Sequence, residues 1–258
     1  MRARDLLSLV QETAAAHPDR LVFATNADDV VSASAEGRIA LLAGVENGDA
    51  LEEHIANVER LYHNGARYLT LTWKHTNALG DAAGGERVHG GLSPFGRDVV
   101  DAMNDIGMLV DVSHAAPSTF WDVLQRSKDP VVVSHSATEM YGSHPRNVSD
   151  DQLRAITENG GLVGINFFSD YLTPGAADAP DWSVIVDHLE RIVEVAGVEH
   201  AALGSDMDGV PRLPAGFSGV EDLPLIGAEL ERRGQTGQNL RKILGGNWLR
   251  VLDRVVSE

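Results

Sequence analysis

The chain contains no cysteine among its 258 residues. This absence excludes a disulfide framework and any metal site built on thiolates, so a metal ion would have to be held by histidine and carboxylate side chains. A chain without disulfides also fits a reducing compartment. We therefore expect a cytoplasmic protein.

Long apolar runs and an excess of positive charge are also missing. No apolar run reaches the roughly 20 residues that a membrane helix needs. The N-terminal stretch MRARDLLSLVQETAAAHPD is too polar for the apolar region of a signal peptide. With 21 basic and 38 acidic side chains the formal net charge is −17, which repels phosphate backbones and anionic lipid headgroups. We expect neither nucleic acid nor a membrane as a partner.

Short apolar runs alternate with helical patterns along the whole chain, and no shift in composition marks a linker. Six runs are clear strand candidates and a seventh is weaker: residues 39–45, 68–72, 108–112, 131–133, 162–168 and 201–204, then 21–24. Apolar residues at three- and four-residue intervals, or a capping serine, predict helices over 50–64, 94–105, 150–158 and 182–195. This alternation predicts parallel βα units in a single domain covering residues 1–258.

Four of the strand candidates end in a side chain that can bind a metal. GMLVDVSH and VVVSHS end two strands in Ser-His, at His114 and His135, while Glu46 ends IALLAGVE and Asp206 follows AALGS. Side chains at the C-terminal ends of parallel strands converge on one site, since neighbouring strands lie about 4.8 Å apart. A set of two imidazoles and two carboxylates suits zinc or a similar divalent ion.

The same residues also have structural explanations. A single histidine at a strand end is more often a hydrogen-bonded structural residue than a ligand. Glu46 precedes Asn47 and Gly48 and fits a solvated turn, and Asp206 and Asp208 fit turn formers. Spacing alone leaves the metal site and the structural explanation evenly matched.

Eight stretches in a fixed order cover nearly the whole chain: IALLAGVENG, RYLTLTW, GLSPFGRDVVDAMNDIGMLVDVSH, DPVVVSHS, HPRNVSDDQLRAI, GLVGINFF, ALGSDMDGV and RKILGGNWLRVL. With them the sequence resembles the zinc dipeptidases of the renal or membrane dipeptidase family, which belong to the metal-dependent amidohydrolases. The resemblance implies an α/β fold of the (β/α)₈ TIM-barrel type. It also implies hydrolysis of dipeptides by a water that bridges two zinc ions.

The resemblance assigns a role to each of five residues. Glu46 corresponds to the carboxylate that bridges the two zinc ions, and His114 and His135 correspond to the pair that binds one of them. Arg146, in HPRN, resembles the residue that grips the terminal carboxylate of the substrate, which suits a guanidinium fork. Asp206 resembles the acid that moves a proton during peptide cleavage.

The chain departs from the family in two places. The family's second metal is held by a His-x-Asp motif at the end of the first barrel strand, and this part has no counterpart here. We therefore expect an incomplete barrel that lacks its first two strands, is truncated at its N-terminus relative to the family and keeps one three-ligand site. His17-Pro18-Asp19 matches the motif formally, but it follows the helical LLSLVQETAAA and precedes a strand, so we do not expect these residues to be ligands.

The second departure is Trp73, which stands where many family members have a histidine that contacts substrate. Two interpretations of Trp73 are equally favoured: it contacts substrate, or it anchors a loop at the barrel mouth. Both remain open at the level of sequence.

Two other functions are compatible with the sequence. One is hydrolysis of a cyclic amide or lactone, for which Arg146 would have less use, since a neutral ring has no carboxylate to hold. The other is a non-catalytic barrel fragment that binds a ligand or partner. An open barrel would also expose strand edges near Ile39 and Ala201, which predicts a homodimer formed across that gap.

Overall fold

The computed structural model describes residues 2–256. Its residues form two compact units, one that runs to Val131 and resumes at Leu249, and one that spans Val132–Trp248. The strands are β1 (Leu21–Ala24), β2 (Ile39–Glu46), β3 (Ala66–Thr70), β4 (Leu109–Asp111), β5 (Val132–Ser136), β6 (Leu162–Ile165) and β7 (Ala201–Leu203). The helices are α1 (Arg2–Ala16), α2 (Ala27–Ala35), α3 (Ala56–His63), α4 (Pro94–Ile106), α5 (Pro117–Arg126), α6 (Asp150–Asn159), α7 (Ser169–Leu172), α8 (Val184–Ala196), α9 (Leu223–Arg232), α10 (Gly237–Arg241) and α11 (Asn247–Val255).

The first unit is built on parallel strand pairs. β1 pairs with the first half of β2, from Leu21 with Ile39 to Ala24 with Leu42. The second half of β2 pairs with β3, which in turn pairs with β4. Helix α4, capped by Ser93 and ended by Gly107 at a φ of 72°, returns the chain from β3 to β4. The carboxyl ends of β2, β3 and β4 therefore lie at one edge of this unit.

The second unit repeats the pattern with β5, β6 and β7, which pair in parallel in that order. Helix α6 begins at a capping box in which Ser149 and Gln152 satisfy each other's backbone N–H groups. Two glycines allow the strands to approach closely, because a Cβ atom at Gly164 or Gly204 would lie 2.3 or 2.0 Å from the carbonyl oxygen of Ser134. A side chain at either position would separate the strands.

The predicted α/β class is confirmed. All seven strand candidates, including the weaker run at residues 21–24, are strands, and each pairing that involves them within a unit is parallel. Among the described residues 2–256 the strands number seven, whereas a closed barrel of this type has eight.

The helix predicted over residues 50–64 is only partly correct. Gly48–Leu51 forms a 3₁₀ turn, and the α-helix begins at Ala56. Glu52 and Glu53 lie between them at φ values of 49° and 57°. A left-handed backbone cannot continue a right-handed helix, so the periodic pattern spans two elements.

Helix α1 ends just before His17, and β1 begins just after Arg20. The His17-Pro18-Asp19 segment is therefore an exposed turn at the start of β1, remote from the carboxyl ends of the strands in the same unit. No helix within residues 2–256 is both long and apolar enough to cross a membrane.

Candidate metal centre and active site

Glu46 and His114 come together at the carboxyl ends of β2 and β4. Glu46 is the last residue of its strand, and His114 follows β4 after a short turn. The Nε2 atom of His114 lies 3.1 Å from the Oε1 atom of Glu46. Ligand atoms bound about 2 Å from a tetrahedral zinc ion lie about 3 Å from one another. The pair thus has the chemistry and spacing of two ligands of one divalent cation.

Backbone strain marks the carboxyl ends of three strands. His114, Asp206 and Asn47, the residue after Glu46, adopt φ values of 68°, 59° and 83°. Each such conformation costs up to roughly 1–3 kcal/mol for a residue other than glycine. Residues in this conformation cluster at functional sites, where the strain fixes the direction of a side chain.

A loop built around Asp81 supports His114. The Asp81 carboxylate is buried and accepts backbone N–H groups from Val88, His89 and Gly90, each at 2.9 Å. Burial opposes ionisation, but these three donors outweigh it and hold the pKa of Asp81 below its ordinary value. The ordered loop then donates the N–H group of Ala83 to the carbonyl oxygen of His114, at 2.7 Å. Sequence reasoning did not single out Asp81, since one acidic residue in a glycine-rich loop has no distinguishing pattern.

Trp73 lies in the loop after β3 and is 37% exposed. Trp73 and Glu46 both line a cavity of about 1060 Å³ in the first unit. The Nζ atom of Lys74 lies 4.5 Å from the centre of the Trp73 ring, in cation–π geometry. Trp73 thus faces the cavity that Glu46 also lines.

In the second unit, His135 and Arg146 lie side by side. His135 is a buried residue of β5, and its Nδ1 atom lies 2.7 Å from the hydroxyl oxygen of Ser134. Arg146 is 8% exposed and donates to the carbonyl oxygen of His135 at 3.0 Å and to the hydroxyl of Ser136 at 3.1 Å. Its guanidinium carbon lies 5.4 Å from the centre of the Tyr171 ring. These contacts fix the guanidinium beside the carboxyl end of β5.

Asp206 follows β7 and is half-buried. Its Oδ2 atom accepts a hydrogen bond from the Nδ2 atom of Asn166, at 3.0 Å. Asn166 is fully buried just after β6, and its own Oδ1 atom accepts the N–H group of Phe168 at 2.6 Å. Sequence reasoning missed Asn166, although its place directly after the apolar run GLVGI is the same kind of strand-end signal that identified Glu46.

The family model of the membrane dipeptidases, peptidase family M19, matches residues 2–257 of the chain. The chain belongs to this family. The assignment based on the eight sequence stretches is thereby confirmed.

Individual relatives agree with the family assignment. The dipeptidase verJ of Clonostachys rogersoniana is 38% identical over 240 residues, which are 93% of this chain and 61% of that protein. The chain thus spans about 61% of the length of this curated relative.

Solved structures match over almost all of the chain. An amidohydrolase from Pseudomonas aeruginosa is 28% identical with a TM-score of 0.89, over 98% of this chain and 84% of its own. A metallo peptidase from Rhodobacter sphaeroides, liganded with a phosphinate mimic of the dipeptide L-Ala-D-Ala, is 29% identical with a TM-score of 0.87, over 96% of this chain and 72% of its own. These matches confirm the predicted fold class, an α/β fold of the metal-dependent amidohydrolase barrel type.

Proposed function

We propose that this chain hydrolyses dipeptides with the help of zinc held by Glu46, His114 and His135. The observation that carries the proposal is the 3.1 Å approach of His114 Nε2 to Glu46 Oε1 at two strand ends, in a chain that belongs to peptidase family M19. The relative from Rhodobacter sphaeroides, liganded with a dipeptide mimic, supports a dipeptide as the substrate.

The donor chemistry fits zinc. Two imidazoles and a carboxylate form a usual catalytic zinc set, which leaves a further position open. With Nδ1 of His135 beside the Ser134 hydroxyl, Nε2 is the ring nitrogen that we assign to the metal, and the serine would orient the ring as a supporting partner. A bound zinc ion would polarise the scissile carbonyl and lower the pKa of the attacking water.

Asp206 is proposed to move the proton during cleavage. Its carboxylate would take a proton from the attacking water and deliver it to the leaving amine. The Asn166 amide donates to Oδ2, so the carboxylate is held in one orientation.

Arg146 is proposed to bind the terminal carboxylate of the dipeptide. A guanidinium offers five N–H donors in a planar fork that matches a carboxylate. The contacts of Arg146 with His135 and Ser136 place this fork next to a proposed metal ligand. Trp73 is proposed to contact the remainder of the substrate from the cavity that it shares with Glu46.

The proposal is tested by the release of free amino acids from three substrate sets in the presence of zinc. These are unmodified dipeptides, the same dipeptides with a C-terminal amide, and cyclic dipeptides. We expect cleavage of the first set, weaker cleavage of the second and none of the third. Preferred cleavage of the cyclic set would favour the alternative amidohydrolase reaction, and no cleavage by zinc-loaded protein would favour a non-catalytic fragment.

A pair of neighbouring acids provides a matched control. Asp206→Asn should abolish most of the activity, since loss of a general acid or base costs about 10²–10⁴-fold. Asp208→Asn removes the same charge from an exposed residue two positions later and should leave the rate unchanged. Equal rates for both variants would contradict the role of Asp206.

The single domain, the cytoplasmic location and the homodimer remain predictions. The homodimer is tested by sedimentation at micromolar concentration, where a monomeric profile would contradict it.

A further inference from the structure

His188, on helix α8, links two segments that surround Arg146. It is fully buried. Its Nδ1 atom lies 3.2 Å from the backbone nitrogen and 2.7 Å from the hydroxyl oxygen of Thr138. Its Nε2 atom lies 2.9 Å from the carbonyl oxygen of Leu172. One imidazole thus connects the loop that follows β5 with helix α7.

The contacts define the proton positions on the ring. A carbonyl oxygen can only accept, so Nε2 of His188 carries the hydrogen and donates to Leu172. The backbone N–H group of Thr138 can only donate, so Nδ1 carries no hydrogen and accepts. Burial lowers the pKa of His188 to about 4, although the bond to Leu172 and the neighbouring Asp187 oppose the shift. The ring is therefore neutral at neutral pH and can make both bonds.

Thr138 forms the base of the loop that carries Arg146. The chain leaves β5 after Ser136, passes through Thr138 and returns beside it at Val148. There the N–H group of Glu139 donates to the carbonyl oxygen of Val148, and that of Val148 donates to the carbonyl oxygen of Ala137. Arg146 lies two residues before this closure. A shift of Thr138 would therefore shift the backbone from which the Arg146 side chain extends.

The bond from His188 to Leu172 also holds the segment whose Tyr171 ring packs against the face of the Arg146 guanidinium. Leu172 follows Tyr171, whose ring centre lies 5.4 Å from the guanidinium carbon. The side-chain amide of Asn147 crosses the same gap, since it donates to the carbonyl oxygens of Thr138 and Tyr171. Asn147 and His188 thus both join the loop to helix α7.

We infer that His188 is a positioning residue for Arg146, and that it holds the guanidinium in the orientation that recognises the terminal carboxylate of a dipeptide. The carboxylate part of this inference rests on the proposed function. The positional part concerns contacts within the second unit and stands without it. We expect no contact between the fully buried His188 ring and the substrate.

The charged groups near His188 are already paired. Tyr141 packs its ring edge-on against His188 at 5.5 Å, and its hydroxyl donates to Asp187 at 2.7 Å. Asp187 also accepts from Arg233 at 2.5 Å. On the side of helix α7, Asp170 pairs with Arg212, and in the loop Glu139 accepts from Ser143. At its two nitrogens the His188 ring meets neutral hydrogen-bonding partners, Thr138 at Nδ1 and Leu172 at Nε2.

Three substitutions separate the two bonds. His188→Leu removes both, His188→Gln keeps a donor near Leu172, and His188→Asn keeps an acceptor near Thr138. The matched control is His200→Leu, because His200 is also buried in the second unit, with its Nδ1 atom 2.7 Å from the carbonyl oxygen of Gly161. The Gln and Asn variants keep a polar side chain and cover the case in which His188→Leu does not fold.

The first readout does not depend on activity. Hydrogen exchange of the Arg146 guanidinium is followed by ¹⁵N NMR, with the resonance assigned through Arg146→Lys. Exchange should be about tenfold faster in His188→Leu, because local opening becomes easier, and intermediate in the Gln and Asn variants. His200→Leu should exchange like the wild type. Unchanged exchange in the folded His188 variants would overturn the inference.

The second readout compares a free dipeptide with its C-terminal amide. In His188→Leu we expect the KM for the free dipeptide to rise about tenfold, the size of one lost charge-assisted bond, with a smaller change in kcat. The KM for the amide should stay constant, so the preference for the free dipeptide over its amide should fall. In His200→Leu this preference should equal that of the wild type. An equal preference for the free dipeptide over its amide in wild type and His188→Leu would overturn the claim that His188 orients Arg146 for the terminal carboxylate. Absence of hydrolysis by the wild type would count against the proposed function, while the exchange readout would still decide the role of His188.

Discussion

The Nε2 atom of His114 lies 3.1 Å from the Oε1 atom of Glu46, so an imidazole and a carboxylate from two different strands meet at one point. His114 reaches this point from a left-handed backbone with a φ of 68°. The hydrogen bond from Ala83 to the carbonyl oxygen of His114 helps to maintain that conformation. A strained ligand held by an ordered loop is expected where side-chain direction matters more than stability.

His114→Ala should weaken zinc binding by at least about 100-fold, since even supporting partners of zinc ligands change affinity by 10–100-fold. The affinity is measured by competition with a chelator. The control is His89→Ala, which removes an imidazole of the same unit whose Nε2 atom lies 2.9 Å from the carbonyl oxygen of Asn77. Equal affinities for the two variants would show that zinc binds elsewhere.

Asp81→Asn should loosen the loop behind His114. The buried carboxylate accepts three backbone N–H groups, and hydrogen bonds to a charged group contribute about 1.5–3 kcal/mol each. An amide oxygen accepts fewer of these bonds, so we expect the free energy of unfolding to fall by about 2–3 kcal/mol. Urea denaturation measures this change.

The control for Asp81→Asn is Asp98→Asn, which removes the same charge at an exposed position on helix α4. It should change the free energy of unfolding by less than about 0.5 kcal/mol. Similar losses in the two variants would mean that the Asp81 bonds do not stabilise the loop.

Asn166→Ala should lower kcat about tenfold through Asp206. The substitution removes the 3.0 Å bond to Oδ2, and a misoriented carboxylate transfers protons less efficiently. Zinc content and KM should stay close to those of the wild type, because Asn166 is assigned neither to the metal nor to the substrate. A rise in KM without a fall in kcat would assign Asn166 to substrate binding instead.

His188 should make stability depend on pH between about 6.5 and 4. Its pKa is 6.5 in an unconstrained chain and about 4 in the folded protein, so the folded state prefers the neutral ring. As the pH falls below 6.5, the unfolded chain binds a proton that the folded chain does not, and stability is lost until about pH 4. The total loss from this group is about 3 kcal/mol.

The difference between wild type and His188→Gln isolates this contribution, since all other groups are shared. Chemical denaturation at several pH values should show the wild type losing stability more steeply between pH 6.5 and 4. Parallel curves would mean that His188 titrates normally in the folded protein.

Strand positions were predictable because buried parallel strands leave short apolar runs. Even the weak run at Leu21–Ala24 is a strand in the structure. The helix predicted over residues 50–64 was wrong in its first half, because Glu52 and Glu53 adopt left-handed conformations that no local sequence signal indicates.

The site was predictable where it consists of side chains at strand ends, as at Glu46 and His114. The residues that support these side chains were not predictable from the sequence. Asp81 acts through backbone N–H groups of its own loop, and His188 lies among the apolar residues of a helical pattern, which does not indicate the bonds that the ring makes. Their partners are distant in sequence, so only the folded chain shows what they hold.

Zinc-dependent hydrolysis is tested by the rate of amino-acid release from an unmodified dipeptide at increasing zinc occupancy. Occupancy is determined by elemental mass spectrometry on the same samples. We expect no release from metal-free protein and a rate that rises with bound zinc. Protein that retains zinc through dialysis and still releases no amino acid from any dipeptide would contradict this expectation.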